Sequence, residues 1–246
     1  MSASRTTPTR EPRFEPGLEQ RYEIKFCAPE QARHRIRRHL SLLPGSLRTQ
    51  YPPRIVQSLY LDTPARSAFT ATRDGDTERT KLRLRWYGDA EAEVPAFLER
   101  KRRAAGLVHK QRLTLPRPVA VAGRNADELM ADLRALCPEL ALGDLRPSQW
   151  IRYRRDYLVD AQQRVRVTLD TELAFEDQSI RRIVEHRAAP TSRPRLLILE
   201  VKYARDDDDR GRRLCAALPL RRTRCSKYAL ACDPAGSGPL VDWLSA

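Results

Sequence analysis

Lys81-Leu82-Arg83-Leu84-Arg85-Trp86-Tyr87 alternates cationic and apolar side chains with a period of two, the spacing by which a β-strand sorts side chains onto opposite faces. Lys81, Arg83 and Arg85 therefore share one face, and Leu82, Leu84 and Trp86 share the other. The pattern recurs with carboxylates set among the cations, as in Glu23 with Lys25, Glu99 with Lys101, Arg164 and Arg166 with Asp170, and Glu200 with Lys202. Several strands each carry a charged face backed by an apolar one. The fold turns on which face lies inside.

The chain has 246 residues, 41% of them hydrophobic, which is enough for one large core or two small ones. A net charge of +14 points to polyanionic partners: nucleic acid, a membrane surface or phosphate compounds. Of 46 basic residues only Lys25, Lys81, Lys101, Lys110, Lys202 and Lys227 are lysine. Nearly all fall in predicted strands, an odd place for a solubilising residue, so these ammonium groups read as chosen for compact point charge over a planar guanidinium. Five cysteines without a C-x-x-C pair argue against a disulfide framework or a zinc site and favour a reducing compartment. With neither a signal-peptide core nor an apolar run of membrane-spanning length, a cytoplasmic location is expected.

Residues 1–17 read as a disordered basic arm and residues 233–246 as a Gly- and Pro-rich tail. Between them, alternation predicts strands at 21–26, 55–62, 81–87, 97–103, 107–115, 150–159, 164–173, 180–186 and 195–203. Helices are predicted at 29–43, in a short piece after Thr63-Pro64, from an Asn125 cap to about Cys137, and from Asp206 to near Pro219. The four aspartates Asp206 to Asp209 suit the positive end of that last helix; a metal-binding cluster is the sharper alternative. Eight or nine strands with interposed helices and no domain break suggest one antiparallel barrel with helices outside.

For any single strand a charged face is most simply a solvated one. Across so many strands the alternation fits better if the sheet closes around a polar interior, its apolar face covered by helices. Two cations about 8 Å apart in such a lumen repel by roughly 2 kcal/mol at an effective dielectric near 20, so the interior needs counter-charge. Glu23, Glu99, Asp170 and Glu200 would supply some, and a bound polyphosphate with divalent metal the rest.

The chain resembles a known family at these positions. Arg21-Tyr22-Glu23-Ile24-Lys25-Phe26, Ser58-Leu59-Tyr60-Leu61-Asp62-Thr63, Arg83-Leu84-Arg85-Trp86-Tyr87-Gly88, Glu99-Arg100-Lys101, Tyr153-Arg154-Arg155, Arg166-Val167-Thr168-Leu169-Asp170, Leu199-Glu200-Val201-Lys202-Tyr203 and Ser226-Lys227-Tyr228 stand in the order of the vacuolar transporter chaperone (VTC) polyphosphate polymerase domain. Each motif is weak alone, but the ordered set, spanning residues 18–232, is specific. The resemblance implies the CYTH-like triphosphate tunnel fold, a closed antiparallel eight-stranded barrel in an α+β protein with helices packed outside. The phosphatase and adenylate cyclase branch of that superfamily starts with Glu-x-Glu-x-Lys, whereas the first acidic position here is Arg21, which points away from a thiamine-triphosphatase-like activity. No inositol-polyphosphate-sensing domain or membrane span is recognisable, so the regulation of eukaryotic relatives does not carry over.

The resemblance implies that the γ-phosphate of ATP is transferred to a growing polyphosphate chain with release of ADP. Such chemistry asks for charge neutralisation and in-line positioning. Lys25, Arg83, Arg85, Lys101, Arg155, Arg166, Lys202 and Lys227 are the expected catalytic cage, with Lys110, Ser226 and, ranked lower, Lys81 binding substrate. Glu200 matches the metal-coordinating glutamate of the family, which takes Mn²⁺ or Mg²⁺; Glu23 and Glu99 are either further ligands or partners that hold the lysines. The ten glycines form neither a P-loop nor a G-x-G-x-x-G turn, so side chains must hold the nucleotide. Trp86 and Tyr60 are as readily core residues as stacking platforms. A triphosphate or polyphosphate hydrolase and a non-catalytic polyphosphate-binding module would use the same cage. The expected partners are ATP and inorganic polyphosphate, with a membrane protein that receives the product as an option. Nucleic acid is not expected, since it would need outward-facing cations with exposed aromatics.

Overall fold

A computed structural model describes residues 21–43, 47–89, 93–104, 107–178 and 192–233. The arm and tail, and the strand expected over 180–186, lie outside the described residues apart from Asp233. Eight strands form one sheet: β1 (Arg21–Pro29), β2 (Arg48–Asp62), β3 (Arg79–Tyr87), β4 (Phe97–Ala104), β5 (Leu107–Thr114), β6 (Arg146–Val159), β7 (Val165–Asp177) and β8 (Leu196–Ala204). Their order is β1-β8-β7-β6-β2-β3-β4-β5, and every neighbouring pair is antiparallel.

The apolar faces lie outward under helices. Leu82, Leu84, Trp86, Leu98 and Trp150 are buried against Leu129, Met130 and Leu133 of α3 (Ala126–Leu136). The Asn125 side chain caps α3 by accepting the Asp127 N–H, as its position predicts. On the other flank Phe26, Val165, Val167, Leu199 and Val201 are covered by Ile36 and Leu40 of α1 (Arg33–Leu42) and Cys215 of α4 (Asp208–Ala216). The predicted helix at 29–43 is thus α1 preceded by a short 3-10 turn, Glu30–Ala32. Asp207 pairs with Arg164 at 2.6 Å and Asp208 with Arg212 at 2.7 Å. The acidic start of α4 therefore serves local ion pairs, and no metal-binding group of His, Cys, Asp or Glu is found among the described residues.

The charged faces line the inside of the curl. In the sheet order β1 and β4 stand six strands apart, which in a flat sheet would separate them by about 29 Å. Yet Lys101 Nζ of β4 lies 3.2 Å from Glu23 Oε2 of β1. The sheet has rolled until its two ends meet by their side chains.

Two expectations need correction. No ladder joins β1 to β5 among the described residues, so the sheet is a curled half-barrel and not a closed one. Lys25 faces in from β1, and Lys110 and Arg112 from β5. At ladder spacing, two such cations about 5 Å apart would repel by roughly 3 kcal/mol at an effective dielectric near 20. Nor is the interior hollow throughout. The short helix α5 (Lys227–Cys232), capped by the Ser226 hydroxyl, sets Tyr228 and Ala231 against Tyr60, Ile151, Tyr153, Leu173, Phe175 and Ile198, filling one end with an apolar plug. Asp62 ties the plug in place by accepting the Tyr228 hydroxyl at 2.5 Å and the backbone N–H groups of Ala68 and Phe69 in α2 (Ser67–Arg73).

Where α4 crosses β8, Gly211 lies so close to the Tyr203 ring that any Cβ would collide with it. Helix propensity alone would make Gly211→Ala stabilising by up to about 1 kcal/mol. Overpacking costs about 1–3 kcal/mol and should win. The expected outcome is a lower urea midpoint for Gly211→Ala than for the parent chain; a higher one would mean that α4 does not seat on β8 as described.

Candidate functional site

Strand register arranges the charged face in rows. Arg83, Glu99 and Arg112 stand opposite one another across β3, β4 and β5, with Lys81, Lys101 and Lys110 as the next row. Across β1, β8 and β7, Lys25 faces Glu200 and Thr168, and Glu23 faces Lys202 and Arg166. All six lysines of the chain reach this face, although Lys227 comes from the first residue of α5 and not from a strand.

Two carboxylate knots hold the rows. Glu99 is 2% exposed and takes Arg83 at 2.6 Å, Arg85 at 3.3 Å, Lys110 at 2.7 Å and Arg112 at 3.5 Å. Burial pushes its carboxyl up, but Arg83, Arg85 and Lys110 outweigh burial and hold it well below the usual range. Arg83 also donates to the Tyr60 hydroxyl at 2.8 Å, and Arg85 to Ser58 and Tyr153, each at 3.1 Å. The second knot centres on Glu200, which takes Lys202 at 2.6 Å, Lys227 at 3.3 Å, Lys25 at 3.5 Å and Arg155 at 3.7 Å. Burial is again outweighed, here by Lys202, Lys227, Lys25 and Arg155, so Glu200 stays ionised. Behind it Asp170, fully buried, grips Arg155 bidentately at 2.6 and 2.7 Å and Lys227 at 2.5 Å. Lys227 and Arg155 further lie 4.9 Å and 5.2 Å from the Tyr153 ring centre.

Of the residues picked from sequence, the structure joins Arg83, Arg85, Lys110 and Glu99 in one knot, and Lys25, Arg155, Lys202, Lys227, Glu200 and Glu23 in the other. Lys101 bridges the gap to Glu23. Ser226 holds Lys81 at 3.0 Å. Arg166 lies farther out, opposite Lys202, and the two line a cavity of about 340 Å³ with Arg164, Asp206 and Asp207. Sequence reasoning did not select Arg112, Asp170, Tyr60 or Tyr153 as site residues. Arg112 shares the parity of Lys110, and Tyr153 that of Arg155, so period-two counting carried to the end of each strand would have found both. Trp86 is wholly buried against Trp150 and is a core residue, whereas Tyr60 stacks its ring on Tyr228 in the plug and turns its hydroxyl to Arg83 in the site.

The donor set admits a hard cation at one knot only. Glu23 and Glu200 share Lys25, at 3.0 and 3.5 Å, so two hard carboxylates converge at a partly exposed place where one or two protein oxygens plus phosphate oxygens could hold Mg²⁺ or Mn²⁺. At Glu99, by contrast, none of the four cations pairs with a second carboxylate among the described residues, so only one carboxylate faces the site there. Of the two roles open to Glu99, holding the surrounding cations is the one these contacts fit.

Cations far outnumber carboxylates on this face, and Lys81 shows the consequence. Its ammonium has only the Ser226 hydroxyl as a hydrogen-bond partner among the described residues. Burial, reinforced by Lys25, Lys101, Arg79 and Arg83, pushes it down to about 7. Between about pH 7 and 10 the unfolded chain carries a proton at Lys81 that the folded chain lacks, so this group makes the ligand-free protein more stable as pH rises. Anion binding should run the other way, weakening as Lys81 loses its charge. Tripolyphosphate affinity measured from about pH 6 to 9 is expected to fall more steeply in the parent than in Lys81→Arg, which stays charged throughout. Parallel profiles would show that Lys81 is not the titrating group.

The VTC domain family matches residues 19–233 of the chain. No curated protein matches it. Among solved structures, a candidate adenylate cyclase from Vibrio parahaemolyticus aligns at 12% identity with a TM-score of 0.48, covering 93% of this chain and 99% of that one. A candidate adenylyl cyclase from Hippeastrum, described as having a dominant triphosphatase activity, aligns at 15% identity with a TM-score of 0.46, covering 91% and 99%.

Proposed function

Because the chain belongs to the VTC domain family, we propose that its concave face binds triphosphate and transfers the γ-phosphoryl group of ATP to the end of an inorganic polyphosphate chain. The observation that supports this reading is the row of Lys81, Lys101 and Lys110 beside the Arg83–Glu99–Arg112 row. Like charges set directly opposite on neighbouring strands are destabilising on their own. A string of phosphates is the ligand that would turn them into an advantage.

In the proposed reaction the bond from the γ-phosphorus to its bridging oxygen breaks, ADP leaves, and a terminal oxygen of the acceptor chain bonds to that phosphorus. The acceptor oxygen is already ionised, so no general base is needed. Arg83 and Arg85, held by Glu99, Tyr60, Ser58 and Tyr153, present guanidinium groups of fixed direction to the equatorial oxygens of the transferring group. Lys25, Lys202, Lys227 and Arg155 line the opposite wall, held by Glu200 and Asp170. Glu200 with Glu23 would hold the divalent cation, which when bound neutralises phosphate charge. Arg166 and Lys202 would extend the path for the polymer outward.

The test is incubation with ATP and Mn²⁺ or Mg²⁺, followed by a polyphosphate gel. Long chains together with ADP are the expected products. Free phosphate alone would mark a hydrolase, and triphosphate binding without turnover a binding module. Arg83→Ala and Glu200→Gln should each lower turnover by at least about a hundredfold, the scale of losing one transition-state contact. Unchanged turnover in either variant would remove that residue from the mechanism.

A further inference from the structure

Tyr51 and Tyr87 are 48% and 41% exposed; among the described aromatic residues only Tyr22 is comparably open. The Arg54 guanidinium bridges them, 5.5 Å from the ring centre of Tyr51 and 5.6 Å from that of Tyr87. Tyr157 meets Tyr51 edge-on at 5.8 Å. This group continues the charged face. Tyr87 follows Arg85 at the next inward position of β3, and Tyr157 follows Arg155 on β6. The link is physical as well as positional, since Arg112 donates to the Tyr87 hydroxyl at 3.4 Å and lies 3.5 Å from Glu99.

The group also sits at the open end. Along β3 the inward side chains run from Lys81, bonded to the cap of α5, through Arg83 and Arg85 to Tyr87. Along β2 they run from Tyr60, stacked on Tyr228 of the plug, to Arg54. The apolar plug packs against Tyr60 at one end of β2, and Arg54 stands toward the other. Tyr87 stands about 7 Å along the strand from Arg85, a separation that one sugar can span.

We propose that Tyr51 and Tyr87, joined by Arg54, form the stacking platform for the nucleobase of a nucleoside triphosphate whose phosphates lie on Arg83 and Arg85. The inference rests on the triphosphate reading of the concave face and adds to it the place and chemical basis of base binding. Flat rings and a guanidinium plane grip a base through its π-face, which every base has, so the platform favours large purine rings without reading their hydrogen-bonding edges.

Calorimetric titration with ATP and, separately, inorganic tripolyphosphate, both with Mg²⁺, tests it on the full chain. In the Tyr51→Ala/Tyr87→Ala double variant ATP affinity should fall about tenfold or more while tripolyphosphate affinity stays at the parent value, which also reports an intact fold. GTP should behave as ATP does. Equal loss for both ligands, loss for neither, or a parent protein that binds ATP no more tightly than tripolyphosphate would overturn the platform while leaving the triphosphate site standing. A parent protein that binds neither ligand would overturn both.

Discussion

An excess of positive charge on the concave face of one curled sheet is the constraint that the rest of the structure answers. Glu99 and Glu200, each almost wholly buried, neutralise part of it by gathering four cations apiece. Burying a carboxylate is costly in itself, and the cost is met only where several charged hydrogen-bond partners surround it. Here the arrangement is reciprocal: the acids hold arginines and lysines in fixed directions, and the cations keep the acids ionised. What remains unneutralised is clearest at Lys81, which among the described residues bonds only the Ser226 hydroxyl.

The two ends of the concave face differ because the chain spends different residues on them. At one end α5 supplies Tyr228 and Ala231 to an apolar plug, and its first residue, Lys227, inserts an ammonium between Asp170 and Glu200. One short helix therefore both closes the curl and completes the second knot. Lys25 ties in the same segment, donating to the Cys225 carbonyl at 3.2 Å. At the other end no apolar plug is found among the described residues, and Tyr51 and Tyr87 are about half exposed instead.

Period-two alternation located most of this in the sequence. It put Lys81, Arg83 and Arg85 on one face and Leu82, Leu84 and Trp86 on the other, as found, because a strand offers no third choice. Strand order was not legible in the residues alone: β2 pairs with β6 through partners as far apart as Arg48 and Val159, and local pattern says nothing of such pairing. Pro52 and Pro53 hid the first half of β2, since prolines argue against a ladder. In the structure they fall where the β2–β6 register shifts, between Tyr51 and Arg54. Helix α5 was missed because six residues are too few to show a helical period. Asp170 was noted as one charge among many, and its rank as the buried anchor of Arg155 and Lys227 depends on three-dimensional neighbours.

Openness at the β1 and β5 edges raises the question of what keeps the sheet curled. The ion pair between Lys101 and Glu23 joins the two ends, but its lysine side chain is 45% exposed. Pairs of that kind contribute about 0–1 kcal/mol, too little to bend eight strands. The outer cores are a stronger cause. Leu129, Met130 and Leu133 of α3 press on one flank, and Ile36 and Leu40 of α1 with Cys215 of α4 on the other, each leucine, isoleucine or methionine stabilising by about 1.5–3 kcal/mol when fully buried. The plug under α5 adds apolar contact on the inner side, from strands β2, β6, β7 and β8 together. Curvature is therefore set by hydrophobic packing on both sides of the sheet, and the charged rows are held in their concave arrangement by forces that do not depend on the charges themselves.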